Sequence, residues 1–121
     1  MVRLDRLSDF AHELSEALRL PRTSRQILDT LSQTRKTLRV EELVERVRRS
    51  ERSVRENLSL LLRRGILERR IFVTANKKLA YVYSLKPVGN LLSAARQDLS
   101  ETLRKLEAVA RRIRGTAGET L

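Results

Sequence analysis

The side chains that could do chemistry in this chain are mainly its arginines. The 121 residues include 26 Lys and Arg against 15 Asp and Glu, which gives a formal net charge of +11, and 21 of the cations are Arg. A guanidinium group binds a phosphate or a guanine edge with two hydrogen bonds at once. A GC-rich genome would also favour Arg over Lys, so the position of the charges matters more than their ratio. The total charge predicts a polyanionic partner.

The chain has few residues that could support other kinds of chemistry. The chain has no Cys, one His (His12) and no carboxylate cluster, which argues against disulfide scaffolds, thiol catalysis and metal sites. We therefore expect no enzymatic activity, no metal and no cofactor. No apolar run approaches the ~18 residues of a membrane span, and the first residues are not a signal peptide. The expected location is the cytoplasm, in association with the nucleoid.

The positive charge is concentrated in the middle of the chain. Residues 46–70 contain nine Arg and three Glu, more than half of the net charge. This stretch includes a predicted helix, residues 51–64, that Ser50 is placed to cap. On a helical projection Arg52, Glu56 and Ser59 lie opposite the apolar side. Arg, Glu and Asn are the residue types that pair with guanine, cytosine and adenine edges.

Hydrophobic periodicity predicts an α-helical chain with one β-hairpin. Helices are expected at 2–19, 40–48, 51–64 and 88–114. A further helix is expected to begin at a cap, Thr23 or Ser24, and to end at Thr34. Strands are expected at 66–74 and 79–85. Pro21 should end the first helix, and Gly65 should supply a left-handed residue after the fourth. The fold class is mostly α with a small β-hairpin: a winged helix-turn-helix flanked by an N-terminal helix and a long C-terminal helix. The predicted units are 1–20, 21–87, 88–114 and a flexible tail at 115–121.

The last helix has an apolar stripe that one small domain cannot cover. At ~1.5 Å per residue it would be roughly 40 Å long. We expect a homodimer in which this helix and the first one pack within and across subunits, although the helix could instead fold back on its own domain. The expected dimer contacts are Leu7, Phe10, Leu14, Leu92, Leu99, Leu103, Leu106, Ala110 and Ile113.

The central segment resembles a known family of regulators. The resemblance rests on Val40-Glu-Glu-Leu-Val-Glu-Arg-Val, Ser50-Glu-Arg-Ser-Val-Arg-Glu-Asn-Leu, Leu61-Leu-Arg-Arg-Gly-Ile-Leu and Tyr81-Val-Tyr-Ser-Leu. These motifs are similar to winged-helix transcriptional regulators of the MarR, ArsR and TrmB kind, above all to small dimeric archaeal regulators with a C-terminal coiled coil. The resemblance covers about half of the chain.

The resemblance implies binding of double-stranded DNA by a recognition helix and a wing. The recognition residues would be Arg52, Ser53, Arg55, Glu56 and Asn57, and the wing residues Lys77 and Lys78. Neighbouring polar residues complete the expected site: Arg48, Arg49, Ser50 and Ser59 beside the helix, and Arg70 and Asn76 in the hairpin. The chain lacks the cysteines of metal-sensing members and the added ligand domain of larger TrmB-like proteins, so a small-molecule effector is unknown.

Three functions remain open at this point. The first is a homodimeric, sequence-specific regulator with its recognition helix in the major groove and its wing on the backbone or in the minor groove. The second is a winged-helix module that binds other proteins of a transcription or assembly complex. The third is an architectural protein that binds DNA without sequence preference through its charge. The hairpin lysines have a structural alternative as well, since lysine protects exposed strand edges.

Overall fold

The computed structural model describes residues 6–34 and 36–117 and confirms the predicted order of elements. The elements are α1 (Arg6–Ala17), α2 (Arg22–Thr34), α3 (Val40–Val47), α4 (Glu51–Arg63), β1 (Leu67–Val73), β2 (Leu79–Leu85) and α5 (Val88–Ala117). The predicted start of the first helix and the last four residues of the predicted tail lie outside the described residues.

Helix α2 lies at the centre of the core. It contacts α1, α3, α4 and β2, and its apolar face buries Ile27, Leu28 and Leu31 almost completely. Leu43 of α3 and Leu61 of α4 are also fully buried in the same cluster. These positions recur every three or four residues, which places them on one side of each helix. Helices α2 and α3 thus hold α4 in a fixed position with its other side toward solvent.

Helix α1 ends earlier than predicted. Its last residue is Ala17, and Arg19 adopts a left-handed conformation with φ of 52°. The N–H of Leu20 donates to the carbonyl of Ser15 at 3.1 Å, which closes the helix end in a Schellman motif. The prediction that Pro21 ends this helix was wrong, because the chain has already turned before it reaches the proline.

The start of α2 also differs from the prediction. Pro21 precedes the first helical residue, and its carbonyl accepts the hydrogen bond of the Arg25 N–H at 3.0 Å. Thr23 and Ser24 therefore lie inside the helix and do not cap it. Their hydroxyl groups face α4 instead, as described below.

Both predicted ends of α4 are confirmed. The Ser50 side chain accepts a hydrogen bond from the Ser53 N–H at 3.1 Å. At the other end Gly65 has φ of +75°, and the Ile66 N–H donates to the Leu61 carbonyl at 3.0 Å. A Cβ on Gly65 would meet the Ala94 Cβ at an ordinary 3.8 Å, so glycine is needed here for its backbone conformation.

The hairpin is anchored at its base and free at its tip. Strands β1 and β2 are antiparallel, with Leu67 opposite Leu85 and Val73 opposite Leu79. Leu38, in the connector before α3, exchanges two backbone hydrogen bonds with Tyr83, at 2.9 and 2.8 Å. The base of the hairpin is therefore held beside the start of α3.

Helix α5 packs on the body only near its beginning. Leu91 and Ala95 are buried, whereas no residue from Arg96 to Gly115 is buried. The predicted tail was partly wrong, since Gly115–Ala117 continue the helix. A single glycine weakens a helix without ending it.

The residues predicted as dimer contacts occupy two different environments. Leu14 is 4% exposed in the core of its own subunit, and Phe10 is half-buried against that core. Leu7 is half-buried as well. On α5, by contrast, the four residues spaced by seven are all about half exposed: Leu92, Leu99, Leu106 and Ile113. Leu14 is unavailable to a second subunit, because α1 needs it to pack on its own domain.

Candidate nucleic-acid interface

The exposed side of α4 carries a row of charged and polar groups. Arg52, Arg55, Glu56 and Ser59 are exposed, and the Arg52 side chain retains 88% of its accessible surface. The buried residues Val54, Leu58 and Leu61 hold the opposite side of the helix against the core. These four predicted site residues thus lie together on the solvent side of α4.

Arg52 and Arg55, near the start of α4, are each held by a neighbouring carboxylate. Arg52 Nε lies 3.4 Å from Glu56 Oε2, and Arg55 Nε lies 2.8 Å from Glu51 Oε2. The hydrogen bond that Arg55 Nε donates to Glu51 Oε2 raises the pKa of Arg55 above its ordinary value. Exposed pairs of this type contribute about 0–1 kcal/mol, and a phosphate or base can replace the carboxylate at little cost.

The turn between α3 and α4 places two arginines beside the start of α4. Arg48 is exposed and has a left-handed backbone with φ of 55°. Arg49 is half-buried, and its Nε donates to Gln26 Oε1 of α2 at 3.1 Å. Both lie next to Ser50, the exposed cap of α4. The turn therefore supplies one extended cation and one that α2 holds in place.

Asn57 and Ser53 are placed differently from the other predicted recognition residues. Asn57 Oδ1 accepts a hydrogen bond of 2.7 Å from Ser24 Oγ, and its Nδ2 donates to the Ser53 carbonyl at 2.8 Å. Ser53 Oγ lies 3.5 Å from Thr23 Oγ1. These half-buried side chains join α4 to α2, so their polar atoms are already engaged within the protein.

The hairpin tip brings the predicted wing cations together. Asn76, Lys77 and Lys78 are all exposed, and Lys77 has a left-handed backbone with φ of 60°. Thr74 fastens this loop: its N–H donates to the Lys78 carbonyl at 2.8 Å, and its carbonyl accepts from the Lys77 N–H at 2.9 Å. Arg70 lies farther back on β1 and is also exposed. The tip is an ordered turn that presents two ammonium groups.

A cleft of about 620 Å³ separates the hairpin from the helical body. Its walls include Arg39 and Glu41 at the start of α3, Arg55 of α4, and Lys78 and Tyr81 of the hairpin. Three cations face this space. The cleft therefore lies between Arg55 on the exposed side of α4 and Lys78 at the hairpin tip.

Other classes of site are not seen in residues 6–34 and 36–117. No group of three or more His, Cys, Asp or Glu in this part of the chain is arranged to hold a metal ion. Likewise, none of its helices is long and apolar enough to cross a membrane.

Comparison with known proteins gives structural neighbours only. No family model and no curated protein matches the sequence. A possible transcriptional regulator from Methanosarcina mazei is 12% identical, with 84% of this chain and 86% of that chain covered at a TM-score of 0.70. A MarR family transcriptional regulator from Silicibacter pomeroyi is 17% identical, covering 91% and 82% at a TM-score of 0.51. A Staphylococcus aureus MepR–DNA complex is 16% identical, covering 93% and 91% at 0.52.

These neighbours are similar to this chain in fold over most of its length. The chain has a winged helix-turn-helix fold. The predicted resemblance in fold, to a MarR family regulator and also to a possible transcriptional regulator of an archaeon, is thereby confirmed. In this fold α3 and α4 form the helix-turn-helix, and the hairpin of residues 67–85 is the wing.

Two arginines of the winged-helix surface were not predicted from the sequence. The Arg39 guanidinium lies 5.5 Å from the centre of the Phe72 ring, and that of Arg69 lies 4.3 Å from the centre of the Tyr81 ring. Both contacts join residues far apart in sequence. The sequence indicated only that the connector before α3 is basic and that Arg69 would lie on the opposite face of β1 from Glu68 and Arg70.

Proposed function

We propose that this protein is a transcriptional regulator that binds double-stranded DNA sequence-specifically as a homodimer. The observation that carries the proposal is the set of exposed cations on α4, on the turn before it and on the wing, with Arg55 and Lys78 lining one cleft. A winged-helix protein with a similar fold, S. aureus MepR, is known in complex with DNA. The proposed setting is the cytoplasm, on the nucleoid, and the proposed role is binding without catalysis.

Helix α4 has the shape and side chains required in the major groove. An α-helix fits this groove, and residues near the start of the second helix of a helix-turn-helix reach the base edges. Arg52 and Arg55 would bind guanine, Glu56 would accept from the cytosine amino group, and Ser59 would bind either kind of base edge. We assign Asn57 and Ser53 to positioning α4, because their polar groups are bonded to α2 and to α4 itself.

Phosphate contacts come from the turn and the wing. Arg48, Arg49 and Ser50 lie beside the start of α4, where cations, a hydroxyl group and the helix dipole all favour an anion. In the wing, Asn76, Lys77 and Lys78 are placed to contact the backbone or the minor groove, with Arg70 farther back on the strand. These contacts set the register of the protein on the duplex and make the affinity depend on salt.

The second subunit would pack along α5. A helix that exposes Leu99, Leu103 and Leu106 to water needs a partner, and α1 is too short to cover it. Pairing two α5 helices covers this stripe and places two copies of α4 on one face of a duplex. The proposed dimer would therefore bind an inverted repeat.

One experiment separates this function from its alternatives. Genomic DNA fragments are selected on the protein at near-physiological salt, and the enriched site is then footprinted as the salt concentration rises. A regulator protects an inverted repeat after non-specific binding has been lost. An architectural protein, which the net charge of +11 also fits, would lose all fragments together. A protein-binding module would select no DNA even at low salt.

A further inference from the structure

The outer half of the wing has an exposed apolar face. The cross-strand pairs Val73–Leu79 and Ile71–Tyr81 follow one another on this face. Their exposed fractions are 63% and 74% for the first pair and 57% and 39% for the second. Nearer the base, the same face buries Leu67 and Tyr83 in the core. The apolar face thus continues past the core into solvent, where four large side chains cost free energy unless they meet a partner.

Cations surround this apolar face. Arg69 stacks on Tyr81, Lys77 and Lys78 lie at the tip, and Arg55 lines the cleft with Leu79 and Tyr81; Arg39 also lines this cleft, with its guanidinium over Phe72 of the opposite face. In the described part of the chain, the carboxylate that lines this cleft is Glu41, and Glu68 lies on the other face of β1. A second copy of the wing would bring like charges together. The charge pattern therefore favours an anionic partner with an apolar interior.

The apolar face is continuous with the proposed DNA-binding surface. Leu79 and Tyr81 line the same cleft as Arg55, which lies on the exposed side of α4. When α4 occupies the major groove, the wing extends along the neighbouring backbone toward the minor groove. The minor groove has phosphates along its edges and deoxyribose rings on its walls, which matches a cationic rim around an apolar centre.

We infer that Ile71, Val73, Leu79 and Tyr81 form an apolar wedge that enters the minor groove and packs on deoxyribose. This inference rests on the proposed function. The groove is only about 6 Å wide in B-form DNA, so a two-stranded ribbon must widen it and bend the duplex. Widening is easiest at flexible pyrimidine–purine steps, so the wedge adds a sequence preference at positions that no polar side chain contacts.

The test is the double variant Val73→Ser/Leu79→Ser. Both side chains are largely exposed, so the core is left intact and the thermal unfolding midpoint should not change. DNA affinity should fall about tenfold with the salt dependence unchanged, because no phosphate contact is lost. The bend, measured by energy transfer between dyes at the ends of the duplex, should decrease, and the preference for a flexible step should disappear. The matched control Lys77→Ala/Lys78→Ala should reduce the salt slope by about two and retain the step preference.

Two results would overturn the wedge, and they differ in what else they overturn. If wild-type protein binds DNA and the serine variant matches it in affinity, bend and step preference, the apolar face is not in the groove. In that case the proposed function stands. If wild-type protein binds no duplex at low salt, the wedge and the proposed function fail together.

Discussion

The exposed arginines of α4 provide the most direct test of base recognition. Arg52→Ala and Arg55→Ala should each lower discrimination between the selected site and single-base variants by ~1–3 kcal/mol, because each removes a bidentate contact to guanine. Competition binding with a panel of substituted duplexes measures this. Arg63→Ala is the matched control, since Arg63 is exposed at the other end of the same helix and carries the same charge. A uniform loss of affinity in all three variants would contradict a reading role for Arg52 and Arg55.

Arg48 occupies a backbone conformation that suits glycine better. A left-handed conformation costs a non-glycine residue about 1–2 kcal/mol, and at a helix end glycine or asparagine is the usual choice. An arginine kept at φ of 55° in the helix-turn-helix turn suggests that its charge is needed there. Lys77 in the wing tip, at φ of 60°, fits the same explanation.

Replacing Arg48 by glycine should therefore separate stability from binding. Arg48→Gly should raise the free energy of unfolding by about 1 kcal/mol and lower the salt slope of DNA binding by about one. Urea unfolding and salt titration measure the two effects. Arg19→Gly is the control, because Arg19 is also left-handed but lies near Arg64, at the end of α4 away from the recognition residues. It should gain stability without losing affinity; equal losses of affinity in both variants would refute the role of Arg48.

At the scale of elements, α4 is fixed to α2 by a small polar network. The hydroxyl group of the fully buried Ser24 donates to Asn57 Oδ1 at 2.7 Å. Asn57→Ala should therefore destabilise the protein by about 1–3 kcal/mol, because a buried donor is left unpaired. Chemical denaturation measures this, and Asn76→Ala at the exposed wing tip should change stability by less than about 0.5 kcal/mol. A variant of normal stability with altered base preference would show instead that Asn57 contacts DNA.

The helices and strands were predictable where a single residue or the spacing of apolar residues determines their position. Apolar spacing located the helices, Ser50 marked the start of α4, and Gly65 marked its end. The strands followed from their Ile, Val, Phe and Tyr content. Local signals of this kind depend on neighbours along the chain, which a sequence displays directly.

The parts that were missed depend on tertiary contacts or on unusual residue choices. Arginine is not a residue type that favours a left-handed conformation. The turn at Arg19, just after α1 ends at Ala17, was therefore not predicted. Thr23 and Ser24 are residue types that commonly cap helices. In the structure their hydroxyl groups instead form hydrogen bonds with Asn57 and Ser53 of α4. For the same reason Asn57, 33 residues from Ser24, was predicted as a base reader although its amide is bonded within the protein.

At the scale of the whole molecule, the exposed stripe of α5 predicts dimerisation. Leu99→Asp/Leu106→Asp should convert a dimer into a monomer of about half its mass, because the stripe would place charge in an apolar interface. Sedimentation equilibrium measures the mass, and binding should fall to that of a single half-site. Gln97→Asp, which adds a single carboxylate at an exposed position outside the stripe, should remain dimeric. A wild-type protein that sediments at 14.0 kDa at every concentration would exclude the dimer.

The charge along α5 favours an antiparallel pair of helices. Residues 104–114 contain five cations and one carboxylate, whereas residues 92–103 contain Asp98, Glu101 and a single cation. A parallel pair would set the basic halves side by side, and an antiparallel pair sets each against the more acidic half. The 21 residue-to-residue steps from Leu92 to Ile113 rise by ~32 Å at ~1.5 Å per step. An antiparallel coil would thus separate the two DNA-binding units by roughly one turn of duplex, about 34–36 Å.

Because the chain contains no cysteine, single introduced cysteines can test this orientation cleanly. In an antiparallel pair Leu103 lies near the midpoint and faces its own copy, whereas Ile113 faces Leu92. Leu103→Cys should therefore form a covalent dimer on oxidation, and Ile113→Cys should form one only when mixed with Leu92→Cys. Non-reducing gel electrophoresis measures both. A parallel pair places every stripe residue opposite itself, so self-crosslinking of Ile113→Cys alone would show that the charge argument is wrong and that the two DNA-binding units lie at the same end of the coil.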